Sequence, residues 1–174
     1  MSLQQIQITS INVHKQNAHM QAILQTTTAN ILLIQEPWFR TVTTLQSDLD
    51  PEGVPQLGAP ANNMWDIHVP ALTPNTPCKA LTYTRCSLKG IIRHITDHPA
   101  TSPNTIIIDI NNSDSIHTQI FNIYHAVPQQ GHNLHNLFIS ELSDTTPTLL
   151  ISDFNMHSSH WSLPGKMPSS WASW

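Results

Sequence analysis

The chain has 174 residues, of which 7 are Lys or Arg, 11 are Asp or Glu and 11 are His, giving a formal net charge of −4. Its length fits a single domain, residues 1–174, able to bury a sizeable core. A charged fraction of 10% is far below the roughly 25% usual for globular proteins, and a strongly basic nucleic-acid binder would show a Lys/Arg surplus where this chain shows a deficit.

Unbroken apolar runs such as Ile31–Ile34 are four residues or fewer, against the roughly 20 that a membrane helix needs, so no spanning helix is expected. Met1 to Gln5 lacks a basic region followed by an apolar one, and no secretory leader is expected. Cys78 and Cys86 are too few for a disulfide scaffold or a four-cysteine zinc site. An intracellular, reducing location follows as the expectation.

In chain order, Leu3 to Ile11 alternates at its centre, with Ile6 and Ile8 on one face and Gln5, Gln7 and Thr9 on the other, which predicts a strand. Residues 15–28 predict a helix through Ala18, Ala22 and Leu24, frayed by Thr26-Thr27-Thr28. Ile31–Ile34 is a continuous apolar run that reads as a strand buried on both faces. Residues 37–63 contain Pro37, Pro51, Pro55 and Pro60 with the acidic Asp48, Asp50 and Glu52, and read as a long loop.

Short strand-like runs follow at Trp65–Val69, Ala80–Arg85, Gly90–Thr96, Thr105–Ile110 and His117–Tyr124. Asn133 to Leu142 switches to helical spacing, and Thr148–Ser152 reads as one more buried strand. Strands without intervening helices over 65–124 predict a mixed α/β sandwich with helices on the sheet faces, not an alternating parallel fold.

Polar residues directly after buried strands are the chemically informative ones, because a strand end places a side chain rigidly at one edge of a sheet. Four such ends stand out: Asn12; Gln35-Glu36-Pro37-Trp38; Asn122-Ile123-Tyr124-His125; and Ser152-Asp153-Phe154-Asn155. Carboxylates at two of them suit a hard divalent cation, and Asn and Tyr suit a phosphate. Together they fit metal-assisted attack of water on a phosphodiester.

Singly, each has an ordinary reading. Glu36 before a proline is a common solvated turn residue, Asp153 a common turn cap, and Tyr124 a half-buried strand tyrosine. Asp153 with His157 and His160 matches no specific zinc spacing. Cys78 and Cys86 flank a strand as small apolar residues.

In order and context, the succession Ile11-Asn12-Val13, Leu33-Ile34-Gln35-Glu36-Pro37, Phe121-Asn122-Ile123-Tyr124 and Leu150-Ile151-Ser152-Asp153-Phe154-Asn155 resembles the endonuclease/exonuclease/phosphatase superfamily. Within it, Gln-Glu-Pro-Trp, Ser-Asp-Phe-Asn-Met-His-x3-Trp and Leu81-Thr82-Tyr83-Thr84-Arg85 resemble the apurinic-endonuclease-like domain of non-LTR retrotransposons, from residue 5 to about residue 161. The resemblance implies a DNase-I-like four-layer α/β fold, Mg2+ (with Mn2+ as a substitute) and DNA as the ancestral substrate. It also implies a nuclear location if the chain is part of an active retroelement.

Carried over residue by residue, the resemblance implies that Asn12 and Glu36 hold Mg2+ and that Tyr124 contacts the scissile phosphate. Asp153 would orient or deprotonate the attacking water, and Asn155 would bind the phosphate. The sequence departs from the family pattern at its end. The later Asp and the Ser-Asp-His motif normally follow by several dozen residues, whereas 19 residues follow Asn155 and none is Asp. A chain shortened at its C-terminus, lacking its last strands, is the expectation. Ser152 also replaces a Gly, and His14 stands where some relatives carry an acid.

For DNA contact, Lys79, Arg85, Lys89 and Arg93 are four of the seven basic residues, and Arg85, Lys89 and Arg93 are the expected backbone-tracking set if they face the site. Three functions are compatible with these features. They are a retroelement DNA endonuclease domain, a catalytically dead remnant that binds nucleic acid or protein, and another phosphoesterase of the superfamily.

Overall fold

The structure, a computed structural model, describes residues 5–47, 50–72, 76–111, 117–124 and 146–153. The described part is mostly sheet. Strand β1 (Ile8–Asn12) and helix α1 (Asn17–Thr26) lead into β2 (Ile31–Gln35), followed by β3 (Arg40–Ser47), β4 (Asp50–Gly58), β5 (Trp65–His68) and β6 (Ala80–Arg85). After a 3-10 turn at Cys86–Leu88 come β7 (Ile92–Ile95), β8 (Thr105–Asn111), β9 (His117–Tyr124) and β10 (Thr148–Asp153).

Two four-stranded mixed sheets form, ordered β1-β2-β6-β5 and β10-β9-β8-β7. In the first, β1 and β2 are parallel while β6 is antiparallel to both β2 and β5. The second repeats the scheme: β9 and β10 are parallel, and β8 is antiparallel to β9 and β7.

Period-2 alternation explains how the sheets stack. Ile31 and Leu33 of β2 pack on Ile106, Ile108 and Ile110 of β8 and Ile120 of β9, filling the space between the sheets. Leu32 and Ile34 point to the other face, where they meet Met20 and Leu24 of α1 together with Leu81 and Tyr83. The Ile31–Ile34 run is continuous because both faces of β2 are covered, and each such side chain contributes about 1.5–3 kcal/mol on burial. At 10 residues α1 is too short to persist alone in water. Its Met20 and Leu24, spaced i and i+4, hold it on the sheet.

Helix, sheet and sheet therefore make three layers among the described residues. The outer face of the second sheet carries Ile107, Phe121 and Ile123, packed with Ile95, Ala100 and Leu150. The expected helix at Asn133–Leu142 lies outside the described residues.

The expectation of a structureless loop over 37–63 is corrected, because β3 and β4 form an antiparallel hairpin there. The run Thr41-Val42-Thr43-Thr44 supplies β-branched residues. Pro51 and Pro55 are tolerated because a two-stranded sheet consists of edges, where a missing N–H costs little. The register slips between Leu45 and Ser47, and Gly53 near the tip takes φ 74°, a conformation that suits glycine.

Candidate active site

The inward-facing positions of four strands end at one mouth of the sandwich. In β1 these are Ile8, Ser10 and Asn12; in β2, Ile31, Leu33 and Gln35, with Glu36 next. Asn12 lies opposite Gln35 in the parallel register of β1 and β2, and Asp153 lies opposite Tyr124 in that of β9 and β10. Two parallel pairs, one per sheet, thus bring four C-terminal strand ends to the same edge.

Two hydrogen bonds cross the gap between the sheets there. Asn12 Nδ2 donates to Asp153 Oδ2 at 2.7 Å, and the Tyr124 hydroxyl donates to Glu36 Oε1 at 2.8 Å. His14 Nδ1 stands 3.8 Å from Glu36 Oε2. Asn12 Oδ1 accepts the His14 backbone N–H at 2.9 Å, which orients the amide so that its nitrogen faces Asp153.

Beneath this layer is a buried polar bridge. Gln35 Nε2 donates to Asn122 Oδ1 at 2.8 Å and to Ser10 Oγ at 3.0 Å. Asn122 Nδ2 in turn donates to the Leu81 carbonyl at 2.8 Å. Gln35 and Asn122 are 2% and 0% exposed, so these partners offset the cost of burying two amides between apolar sheets.

Backbone strain concentrates at the same edge. Among the described residues, the non-glycine residues with positive φ are His14 (47°), Lys15 (58°) and Glu36 (47°). Each costs roughly 1–2 kcal/mol relative to a right-handed conformation. The strain is held by main-chain bonds, Val13 N–H to the Gln35 carbonyl at 3.0 Å and Gln16 N–H to the Val13 carbonyl at 2.9 Å. The Glu36 peptide itself is fixed at both ends: its N–H donates to the Lys79 carbonyl at 2.9 Å, and its carbonyl accepts from Lys15 N–H at 2.7 Å.

Asn12, Glu36, Tyr124 and Asp153 are brought together; Asn155, His157 and His160 lie outside the described residues. The basic set expected for DNA contact does not share the edge. Arg85 ends the antiparallel strand β6 whose other end, Ala80, pairs with Gln35, so it lies at the far end of the sheet. Its guanidinium donates to the Thr27 and Ala29 carbonyls at 2.6 and 3.2 Å and stacks 4.1 Å from the Trp65 ring. Lys89 follows that end in the chain.

Arg93 pairs with Asp109 at 3.3 Å, on the face of the second sheet that points away from the first. Lys79, the fourth member of the basic run, does reach the edge, with Nζ 5.3 Å from the centroid of the Tyr124 ring. Strand direction decides this split, since β6 carries the chain away from the site that Lys79 adjoins and β7 begins at the far end. Cys78 is buried, donates to the Ala80 carbonyl and has its thiol pushed up to about 12 by that burial, as befits an inert apolar-like residue.

Residue type alone did not single out Gln35 and Asn122 as the bridge. The signal was their parity, Gln35 with Ile31 and Leu33, and Asn122 with Ile120 and Tyr124.

Two facing mixed sheets thus gather polar residues at one set of strand ends. Among solved structures, the chain is similar to the endonuclease domain of TRAS1, a telomere-specific non-LTR retrotransposon, with a TM-score of 0.61 at 13% identity. The likeness covers 90% of this chain and 62% of that one, so the chain spans less than two thirds of that structure, and at this identity the likeness is one of fold. No family profile and no curated protein matches the sequence.

Proposed function

We propose that this chain is a metal-dependent phosphodiesterase domain of the DNA-endonuclease type and of retrotransposon origin. The observation that carries the proposal is the convergence of Asn12, Glu36, Tyr124 and Asp153 at one mouth, with a hydrogen bond across the gap from each sheet strand pair to the other. In this reading the chain has the four-layer DNase-I-like arrangement, with the outer face at Phe121 and Ile123 covered as the face beneath α1 is.

The donor set fits a hard cation. Asn12 Oδ1 and the Glu36 carboxylate are oxygen donors, and among the described residues no group of three His, Cys, Asp or Glu gathers into an all-protein cage. Mg2+ suits such a site, since it is usually held by one or two carboxylates together with water and substrate phosphate. Bound there, it would supply charge neutralisation at the phosphoryl oxygens.

The chain's own residues would do the rest. Asp153, oriented by the Asn12 amide, would accept a proton from the attacking water. The Tyr124 hydroxyl, whose one proton is given to Glu36, would orient that carboxylate, and would turn that proton to a phosphate oxygen only on releasing Glu36. Asn155 would add a neutral donor, stabilising charge without repulsion. Fixing these groups across two sheets is what in-line attack needs, because the rate depends steeply on alignment.

The test is nicking of supercoiled plasmid by the 174-residue protein in Mg2+, beside a Glu36→Ala, Asp153→Ala double variant. Nicking by the parent and not by the variant is the expected result. If neither nicks, hydrolysis by this chain is rejected in favour of a binding remnant. If both nick, the assignment of these two residues is wrong.

A further inference from the structure

We propose that Lys15 and Lys79 form a two-ammonium clamp for nucleic-acid phosphates flanking Glu36. The class of ligand rests on the nuclease reading, while the clamp itself rests on geometry. In the first sheet β2 lies between β1 and β6. Lys15 follows β1 and Lys79 precedes β6, so the two residues stand on opposite sides of the end of β2.

Their main chains are tied to the same residue, Lys15 through its N–H to the Glu36 carbonyl and Lys79 through its carbonyl to the Glu36 N–H. The spacing of the two lysines about Glu36 is therefore built into the backbone. Lys15 holds φ 58°, a strained conformation maintained where it delivers an exposed lysine beside the site.

Lys79 is further oriented by the Tyr124 ring. A ring face engages one side of an ammonium and leaves N–H donors for an anion. Neither lysine forms an ion pair among the described residues, unlike Arg93 with Asp109. In a chain with 7 basic residues and net charge −4, two ammonium groups flanking Glu36 offset the Glu36 and Asp153 carboxylates at this edge. They are placed where a phosphate backbone would meet Glu36 and Tyr124. Grip on nucleic acid then comes from this edge, and not from Arg85 and Arg93 at the other end and outer face.

The test measures binding of a fluorescent DNA duplex by anisotropy over a series of KCl concentrations, in EDTA so that nothing is cleaved. Each phosphate contact contributes about 0.9 to the slope of log affinity against log salt. Lys15→Gln and Lys79→Gln should each lower the slope by about 0.9, and the double variant by about 1.8. Arg85→Gln with Arg93→Gln should leave it at the parent value, and Lys15→Arg with Lys79→Arg should retain it.

An unchanged slope in the double Gln variant, or a parent that does not bind the duplex, overturns the clamp. The two readings fail separately. A parent that binds with the expected slopes but never nicks keeps the clamp and loses hydrolysis; a parent that nicks with slopes unmoved by the lysines does the opposite.

Discussion

The amide of Asn12 and the carboxylate of Asp153 are 141 residues apart in the chain and 2.7 Å apart in the fold. One belongs to the first strand and the other to the tenth, and their bond joins the two sheets at the edge where Glu36 and Tyr124 make the second such bond. Replacing Asn12 with Ala should abolish nicking while lowering stability by about 1.5–3 kcal/mol, the worth of one hydrogen bond to a charged group. Asn12→Asp should also abolish nicking and should cost more stability, because two carboxylates at this separation repel unless one takes a proton. Urea midpoints beside plasmid nicking separate the two effects; an active Asn12→Ala protein would show that Asp153 needs no such orientation.

The Gln35–Asn122 bridge predicts a non-additive pair. Gln35→Leu removes the donor from Asn122 Oδ1, leaving a buried polar atom without that partner, and from the exposed Ser10 Oγ, and should cost about 2–3 kcal/mol. Adding Asn122→Leu removes much of that imbalance, so the double variant should be less destabilised than the sum of the singles. Its nicking should still fall, because Glu36 directly follows Gln35 and Tyr124 lies two residues after Asn122. Additive costs in a double-mutant cycle would show that the two amides are not coupled.

How the sandwich was legible in the sequence follows from the same residues. Alternation at Ile6 and Ile8, the unbroken Ile31–Ile34 run, and polar residues at strand ends marked strands of both sheets and the four strand-end residues that the fold brings to one edge, because strand periodicity and buried runs are local signals. Partners across the gap were not legible, because nothing local specifies that Asn12 meets Asp153 or that Arg85 turns to the Thr27 carbonyl. The β3–β4 hairpin was hidden by its prolines, which weaken any strand pattern yet are harmless in a sheet made of edges.

Acid should destabilise the fold through a pair of histidines far from the site. His68 of β5 and His94 of β7 meet edge to face, with ring centroids 5.4 Å apart, and His68 Nε2 bonds Thr84 Oγ1 at 2.9 Å. Burial first, and His94 second, lower His68 to about 4, with Asp66 opposing; burial also lowers His94. The unfolded imidazoles protonate near 6.5, so between about pH 6.5 and 4 the unfolded chain binds more protons than the folded one. Stability is therefore full above that window and falls as pH drops through it. At pH 5 His68 alone should lower stability by about 2 kcal/mol relative to pH 7. His68→Gln, which does not titrate, should flatten the dependence of the urea midpoint on pH. A parent midpoint equal at pH 7 and pH 5 would contradict this account.

Arg85 should behave as a structural residue. Its guanidinium closes two carbonyls after α1 and covers the Trp65 ring. Arg85→Gln should lower stability by roughly 1–3 kcal/mol through lost hydrogen bonds and lost stacking. Thermal melting checks this; a melt matching the parent's would mean that the carbonyls are served equally well by water.

The hydrogen bond that joins β1 to β10 through Asn12 and Asp153 also sets when the edge can exist. As the chain is made from its N-terminus, β1, α1 and β2 can associate early, but the edge stays incomplete until β10 has been synthesised and has docked beside β9. Interrupted synthesis before residue 153 therefore yields sheets without a working edge. On the proposed hydrolytic reading, activity would report the assembled sandwich, and partial products would carry none.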